Sequence, residues 1–90
     1  MARPPQGTGF RLGDIIVTAV ANHYSIGRIQ ADGATQEYLA SESNQRTALA
    51  HACRLAGTAH RVFLYRLTAD TTFTPHDCRL IQARGHKRRA

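Results

Sequence analysis

Residues 24–39, YSIGRIQADGATQEYL, decide the fold, because Asp32-Gly33 stands between two stretches that can be laid against each other. A two-residue type I′ hairpin loop needs positive φ at both positions, and Asp-Gly is one of the pairs that supplies it. With Asp32 and Gly33 as the loop, Ala31 faces Ala34, Arg28 faces Glu37, Gly27 faces Tyr38 and Ile26 faces Leu39. Each pairing makes chemical sense: opposite charges, an aromatic ring over a bare glycine, and two aliphatics. Two adjacent strands are therefore predicted, the second over residues 35–40.

On the N-terminal side, Asp14-Ile15-Ile16-Val17-Thr18-Ala19-Val20-Ala21 is dense in β-branched residues and reads as a central strand covered on both faces. Asn22-His23 then supplies a tight turn into the Tyr24 strand. The result is a three-stranded meander. One face carries Ile15, Val17, Ala19, Ile26 and Leu39; the other carries Ile16, Val20, Ile29 and Tyr38.

On the C-terminal side, Ser41-Glu42-Ser43 offers an N-cap, and Leu49, Ala52, Cys53 and Ala56 recur at i, i+3, i+4 and i+7 before Gly57. A helix over residues 43–56 follows, with an apolar side of small volume that can approach a sheet closely. His60 to Thr68, centred on Val62-Phe63-Leu64-Tyr65-Arg66-Leu67, reads as a fourth strand. A right-handed crossover is expected, and the strand is placed beside the first, the most apolar neighbour on offer. Thr74-Pro75-His76-Asp77 combines an N-cap residue, proline at N1 and an acid at N3, so a short second helix is predicted over 75–84. The fold class is α+β: a single β-β-β-α-β domain with a twisted, mostly antiparallel sheet, one main helix on one face and a short C-terminal helix.

A chain of 90 residues buries roughly 60 to 65% of its unfolded surface, so the core is thin and a deep active-site cleft is not expected. The apolar fraction of 42% and charged fraction of 20% are those of a folded domain rather than a disordered one. No apolar run approaches the roughly 18 residues that span a bilayer, and the first residues lack the hydrophobic stretch of a signal peptide, so a cytoplasmic location without membrane contact is expected. The net charge of +6 is unevenly placed. Between residues 12 and 83 six arginines balance six acids, while Arg3 and Arg11 lie before and Arg84, Lys87, Arg88 and Arg89 after. The expected organisation is a flexible N-terminal arm at 1–11, one domain at 12–84 and a basic tail at 85–90.

Chemistry has one visible candidate, the pentapeptide His51-Ala52-Cys53-Arg54-Leu55 and its echo His76-Asp77-Cys78-Arg79-Leu80. Zinc needs converging ligands, and residues i and i+2 on a helix point roughly 200° apart. With both copies on predicted helices, no metal site is expected; Cys53 and Cys78 should be buried thiols, His51 and His76 exposed. The flanks of the two copies share nothing, which argues against a repeat. A Cys53–Cys78 disulfide is geometrically open, though a cytoplasmic location argues against it. A first helical turn would lower the Cys78 thiol pKa, but the apolar neighbours Leu80 and Ile81 argue for burial and inertness instead. There is no phosphate-cradling glycine loop and no cluster assignable to catalysis, so no enzyme, cofactor or small-molecule substrate is expected.

Binding is the better reading. Strand four points Val62 and Leu64 one way and Phe63, Tyr65 and Leu67 the other, yet one main helix covers one face. The second face calls for cover by the C-terminal helix, by a second copy of the chain, or by nucleobases stacked on Tyr38, Phe63 and Tyr65. Arg84, Lys87, Arg88 and Arg89 are candidate phosphate contacts.

Tyr24-x-Ile26-x-Arg28, Asp32-Gly33 and the ladder Ala48, Ala52, Ala56 resemble short bacterial β-β-α-β domains of unknown function, over residues 14–67. The same stretch looks like the three-strand-plus-helix arm-binding domains of phage-type integrases, a likeness that would make Tyr24, Arg28 and Gln36 DNA contacts. The function expected is a small non-enzymatic binding module acting through a protein partner or as a homodimer; the alternative is a nucleic-acid binder using the basic tail and the sheet aromatics.

Overall fold

A computed structural model describes residues 9–68 and 73–83. Ile15–Val20 forms β1, His23–Ile29 forms β2 and Gln36–Glu42 forms β3. The helix α1 spans Gln45–Ala56, β4 spans Val62–Arg66, and a 3-10 turn at Pro75–Asp77 leads into β5, Cys78–Gln82. The sheet order is β3-β2-β1-β4-β5; β1 and β4 run parallel and every other neighbouring pair is antiparallel. The domain is therefore α+β with a five-stranded mixed sheet, and β4 lies beside β1 as expected.

The meander is paired as the sequence suggests at Arg28↔Glu37 and Gly27↔Tyr38. Beyond them the register slips: Ile26 faces Ala40 rather than Leu39, through a bulge in β3. The loop itself is not type I′. Only Gly33 holds positive φ, and the Gln30 N–H donates to the Thr35 carbonyl at 2.8 Å, enclosing four residues instead of two. Asp32 rigidifies this longer loop by accepting from the Ala34 N–H (2.9 Å), the Thr35 N–H (2.8 Å) and the Thr35 hydroxyl. Gly27 is covered by the Gln36 side chain, while Tyr38 lies exposed with its hydroxyl 2.8 Å from Ser41 Oγ.

The first hairpin loop is Ala21-Asn22, since Val20 pairs with His23. Moving a two-residue loop by one position shifts every pairing by two residues and leaves the faces unchanged. Ile15, Val17 and Ile26 accordingly meet the helix, whereas Ile16 and Ile29 lie on the opposite face.

The helix starts two residues later than its sequence signals suggest, because β3 continues through Glu42 to pair with Tyr24. Asn44 is the N-cap; its side chain accepts from the Thr47 N–H at 3.1 Å. Gly57, with positive φ, closes the other end through its N–H to the Cys53 carbonyl. Ala48, Ala52 and Ala56, spaced by four, form the buried ridge against Ile15, Val17, Ile26, Val62 and Leu64. Such a row of methyl groups lets the helix axis sit close to the strands.

The predicted helix over 75–84 is corrected. The Thr74-Pro75 start produces a single 3-10 turn, closed by the Asp77 N–H to the Thr74 carbonyl, with no side-chain cap from Thr74. The chain then pairs with β4 as a strand. The outer edge of β4 presents unpaired backbone donors and acceptors, and satisfying them outweighs a local helix preference. Cover for the second sheet face comes instead from two phenylalanines. Phe10, assigned by sequence to the arm, and Phe73 close over Phe63 and Tyr65, with ring centroids 5.4 Å apart for Phe10–Phe63 and 5.2 Å for Tyr65–Phe73.

Candidate functional site

The parallel pair in the middle of the sheet positions an open groove among the described residues. β1 ends at Val20 and β4 at Arg66, side by side, but the strands that follow them lie on opposite sides: β2 flanks β1, and β5 flanks β4. Where adjacent parallel strands send the chain in opposite directions, a crevice is left beyond their carboxyl ends. Here it is a groove of about 400 Å³ between residues 19–24 of the β1–β2 turn, Ser43 before the helix, and residues 66–68.

Its chemistry is mixed. Ala19, Val20 and Ala21 give one apolar wall and the exposed Leu67 another, while Asn22, Tyr24, Ser43 and Thr68 bring polar groups. The nearest acid in sequence, Glu42, holds Oε2 2.9 Å from Nδ1 of His51. Arg66 marks the rim, donating from Nη2 to Gln45 Oε1 at 3.1 Å, and also lines a shallower hollow of about 170 Å³ with Leu64, Asp77 and Arg79.

Among the described residues, those singled out by sequence are not brought together. Arg84, Lys87, Arg88 and Arg89 lie outside the described residues. Phe63 and Tyr65 are 4% and 6% exposed beneath Phe10 and Phe73, so their faces are occupied by the protein's own rings; Tyr38 is 66% exposed but sits three strands away at the sheet edge. No aromatic platform for bases is assembled from these three. Of the integrase-like positions, Tyr24 packs with the helix-side core, and Arg28 forms a 3.9 Å pair with Glu37 on that same face. Gln36 faces the other side of the sheet, over Gly27.

The two H-x-C-R-L copies also part company. Cys53 packs from α1 into the helix-side core, whereas Cys78 begins β5 and packs with the opposite cluster. The sheet lies between them, which removes the disulfide reading, and both are free thiols. Both are half-buried rather than fully enclosed, as is His51; His76 is exposed. Burial raises the Cys53 pKa. Burial, with the neighbouring Asp77 charge, pushes the Cys78 thiol up to about 11. Cys78 heads a strand rather than a helix, so no helix start lowers its thiol, and the direction agrees with the unreactive cysteine favoured by its apolar neighbours. Among the described residues no three His, Cys, Asp or Glu side chains are gathered as a metal site.

Sequence reasoning missed both the groove and the most buried charge pair among the described residues. Asp14, 2% exposed, accepts from Arg61 Nη2 at 2.6 Å, Arg61 Nε at 3.1 Å and the Arg11 N–H at 2.8 Å. Arg61 also donates to the Gly9 carbonyl at 3.1 Å and lies 4.9 Å over the Phe63 ring. A signal was present: Asp14 and Arg61 each immediately precede an apolar run, and the parallel register Ile15↔Val62 sets those positions side by side. The groove left no comparable trace, since it depends on which strands are neighbours. Among the described residues no helix is long and apolar enough to cross a membrane. Comparison with models of protein families, with curated proteins and with solved structures finds nothing that matches the chain.

Proposed function

We propose that this protein is a small non-enzymatic binding module that engages a protein partner through the groove at the carboxyl ends of β1 and β4. The observation that carries the reading is the groove itself, an open crevice with both apolar walls and hydrogen-bonding groups, at the end of a sheet where divergent connections leave room for a ligand. It is too open to exclude water from a reaction and has the mixed lining that suits a peptide segment. Self-association by sheet extension has less support. Both edge strands, β3 and β5, take part in irregular pairings with a register shift, a device that blunts edges against further pairing.

The test is panning of displayed random peptides on the full chain, followed by amide chemical-shift mapping with each recovered sequence. Peptides that shift residues 19–24, 43 and 66–68 support the proposal. Recovered peptides that leave those amides in place count against it, and a concentration-dependent dimer in sedimentation that buries the same residues replaces the partner with a second copy.

A further inference from the structure

We infer that His51 is a phosphoryl-acceptor site: its Nε2 takes a phosphoryl group from a donor of the phosphoramidate class, with Glu42 orienting the ring and Arg54 meeting the transferred charge. The site belongs to the first H-x-C-R-L copy and does not depend on what the groove binds. Glu42, the last residue of β3, holds Oε2 2.9 Å from Nδ1 of His51 in the middle of α1. An ionised carboxylate can only accept, so the ring hydrogen stands on Nδ1 and the lone pair of the neutral ring on Nε2. Among the described residues Nε2 has no hydrogen-bond partner. Both side chains are 27% exposed, so the contact between them is partly shielded while the ring stays within reach of a small donor.

Helical spacing supplies the neighbours. Thr47 and Arg54 stand four residues before and three after His51, positions that share one flank of a helix. Both are exposed, and α1 itself contains no acid, so the guanidinium and the hydroxyl are placed to donate to phosphoryl oxygens beside Nε2. The second copy repeats the spacing at His76 and Arg79, but there a 3-10 turn passes into β5 and the helical neighbour relation is lost. His76, exposed, is thus an internal control. Among the described residues no third ligating side chain joins Glu42 and His51, so a nucleophile suits the pair better than a metal. In the transfer the Nε2 lone pair forms a bond to phosphorus as the donor's phosphorus–nitrogen bond breaks, and ammonia departs with that electron pair. The ring becomes cationic; its Nδ1 hydrogen stays bonded to Glu42, whose carboxylate balances the new charge.

The experiment incubates the full chain with potassium phosphoramidate at mildly alkaline pH and follows it by phosphorus NMR and by peptide mapping under alkaline conditions, where phosphohistidine survives. His51 is expected to be labelled as the Nε2 isomer and at least about tenfold faster than His76, the gain that one charge-assisted contact supplies. Arg54→Gln, on the exposed side of the helix, should remove that gain while leaving the melting temperature in place. Glu42→Ala should slow the labelling and bring in the Nδ1 isomer, whereas Glu42→Gln, whose amide oxygen can still accept from Nδ1, should keep the Nε2 isomer. Equal rates at His51 and His76, labelling of the native His51 at Nδ1, or an unchanged rate in Arg54→Gln overturns the inference. An isomer pattern unaltered in Glu42→Ala overturns it as well, because the ring would then be oriented by something other than the carboxylate.

Discussion

Removing Arg61 tests how much of the fold depends on one buried ion pair. In the native chain the Asp14 carboxylate is held almost out of contact with water by three hydrogen bonds, two of them from Arg61. Arg61→Met keeps most of the aliphatic stem over Phe63 but strands the carboxylate with the Arg11 N–H alone. Leaving one partner of a buried pair uncompensated costs about 3–5 kcal/mol. Chains of this length are stable by about 5–13 kcal/mol, so the loss is a large share of the total. Asp14→Leu strands the guanidinium, which has a wetter position and should lose less. The double variant removes both charges and should regain much of the loss, giving a coupling energy of at least about 2 kcal/mol. Urea unfolding followed by circular dichroism measures all four corners of the cycle. With a slope of about 1 kcal/mol per molar urea, a loss of about 3 kcal/mol lowers the midpoint by about 3 M. Single variants within about 1 kcal/mol of the native protein and an additive double would refute the reasoning, because they would mean that Asp14 is hydrated or protonated at little cost.

Phe10→Ala should destabilise by about 3 kcal/mol and uncover Phe63, since Phe10 packs on both Phe63 and Phe73; unfolding midpoints and quenching of the near-ultraviolet dichroism report the change, and an unaltered midpoint would show that the N-terminal segment is dispensable. The thiols should react slowly with a disulfide reagent at neutral pH, Cys78 more slowly than a free cysteine because its pKa is raised to about 11, and both should react at once in urea. Rapid labelling of Cys78 in the folded protein would contradict its placement. Asp32 titrates at about 2, lowered first by the Thr35 hydroxyl and then by backbone N–H groups. Its contribution to the turn is therefore fully present above its unfolded value near 4 and is lost as pH falls through about 2, which a carboxyl-carbon titration will show; a midpoint near 4 would mean that the loop bonds are absent.

The parts of the fold that were legible in the sequence are those governed by neighbours in the chain. The Asp32-Gly33 loop set the β2–β3 register through Gly27↔Tyr38 even though the loop is longer than type I′, because the longer turn is centred on the same residues. The helix ladder and β4 followed from periodicity and β-branched content. What could not be read were the outcomes of competition with distant partners. Pro75 announces a helix, yet the free edge of β4 captures residues 78–82. Phe10 and Phe73 show no periodic pattern, and only the finished sheet reveals that they converge. Of the candidate site, Tyr38, Phe63 and Tyr65 were placed on the correct face of their strands, but burial depends on what arrives above them. The groove has no sequence motif because the neighbour relation of β1 and β4 creates it.

That same parallel neighbour relation orders the events of folding. The β1–β2–β3 meander closes through short loops and can zip from its turns, whereas β4 must wait until the helix has carried the chain back across the sheet. The Asp14–Arg61 contact spans 47 positions and can close only after that crossover. The ion pair then acts as a latch on a nearly assembled structure: it governs how fast the protein comes apart more than how fast it forms, and resistance to unfolding is concentrated at the junction between the first strand and the fourth.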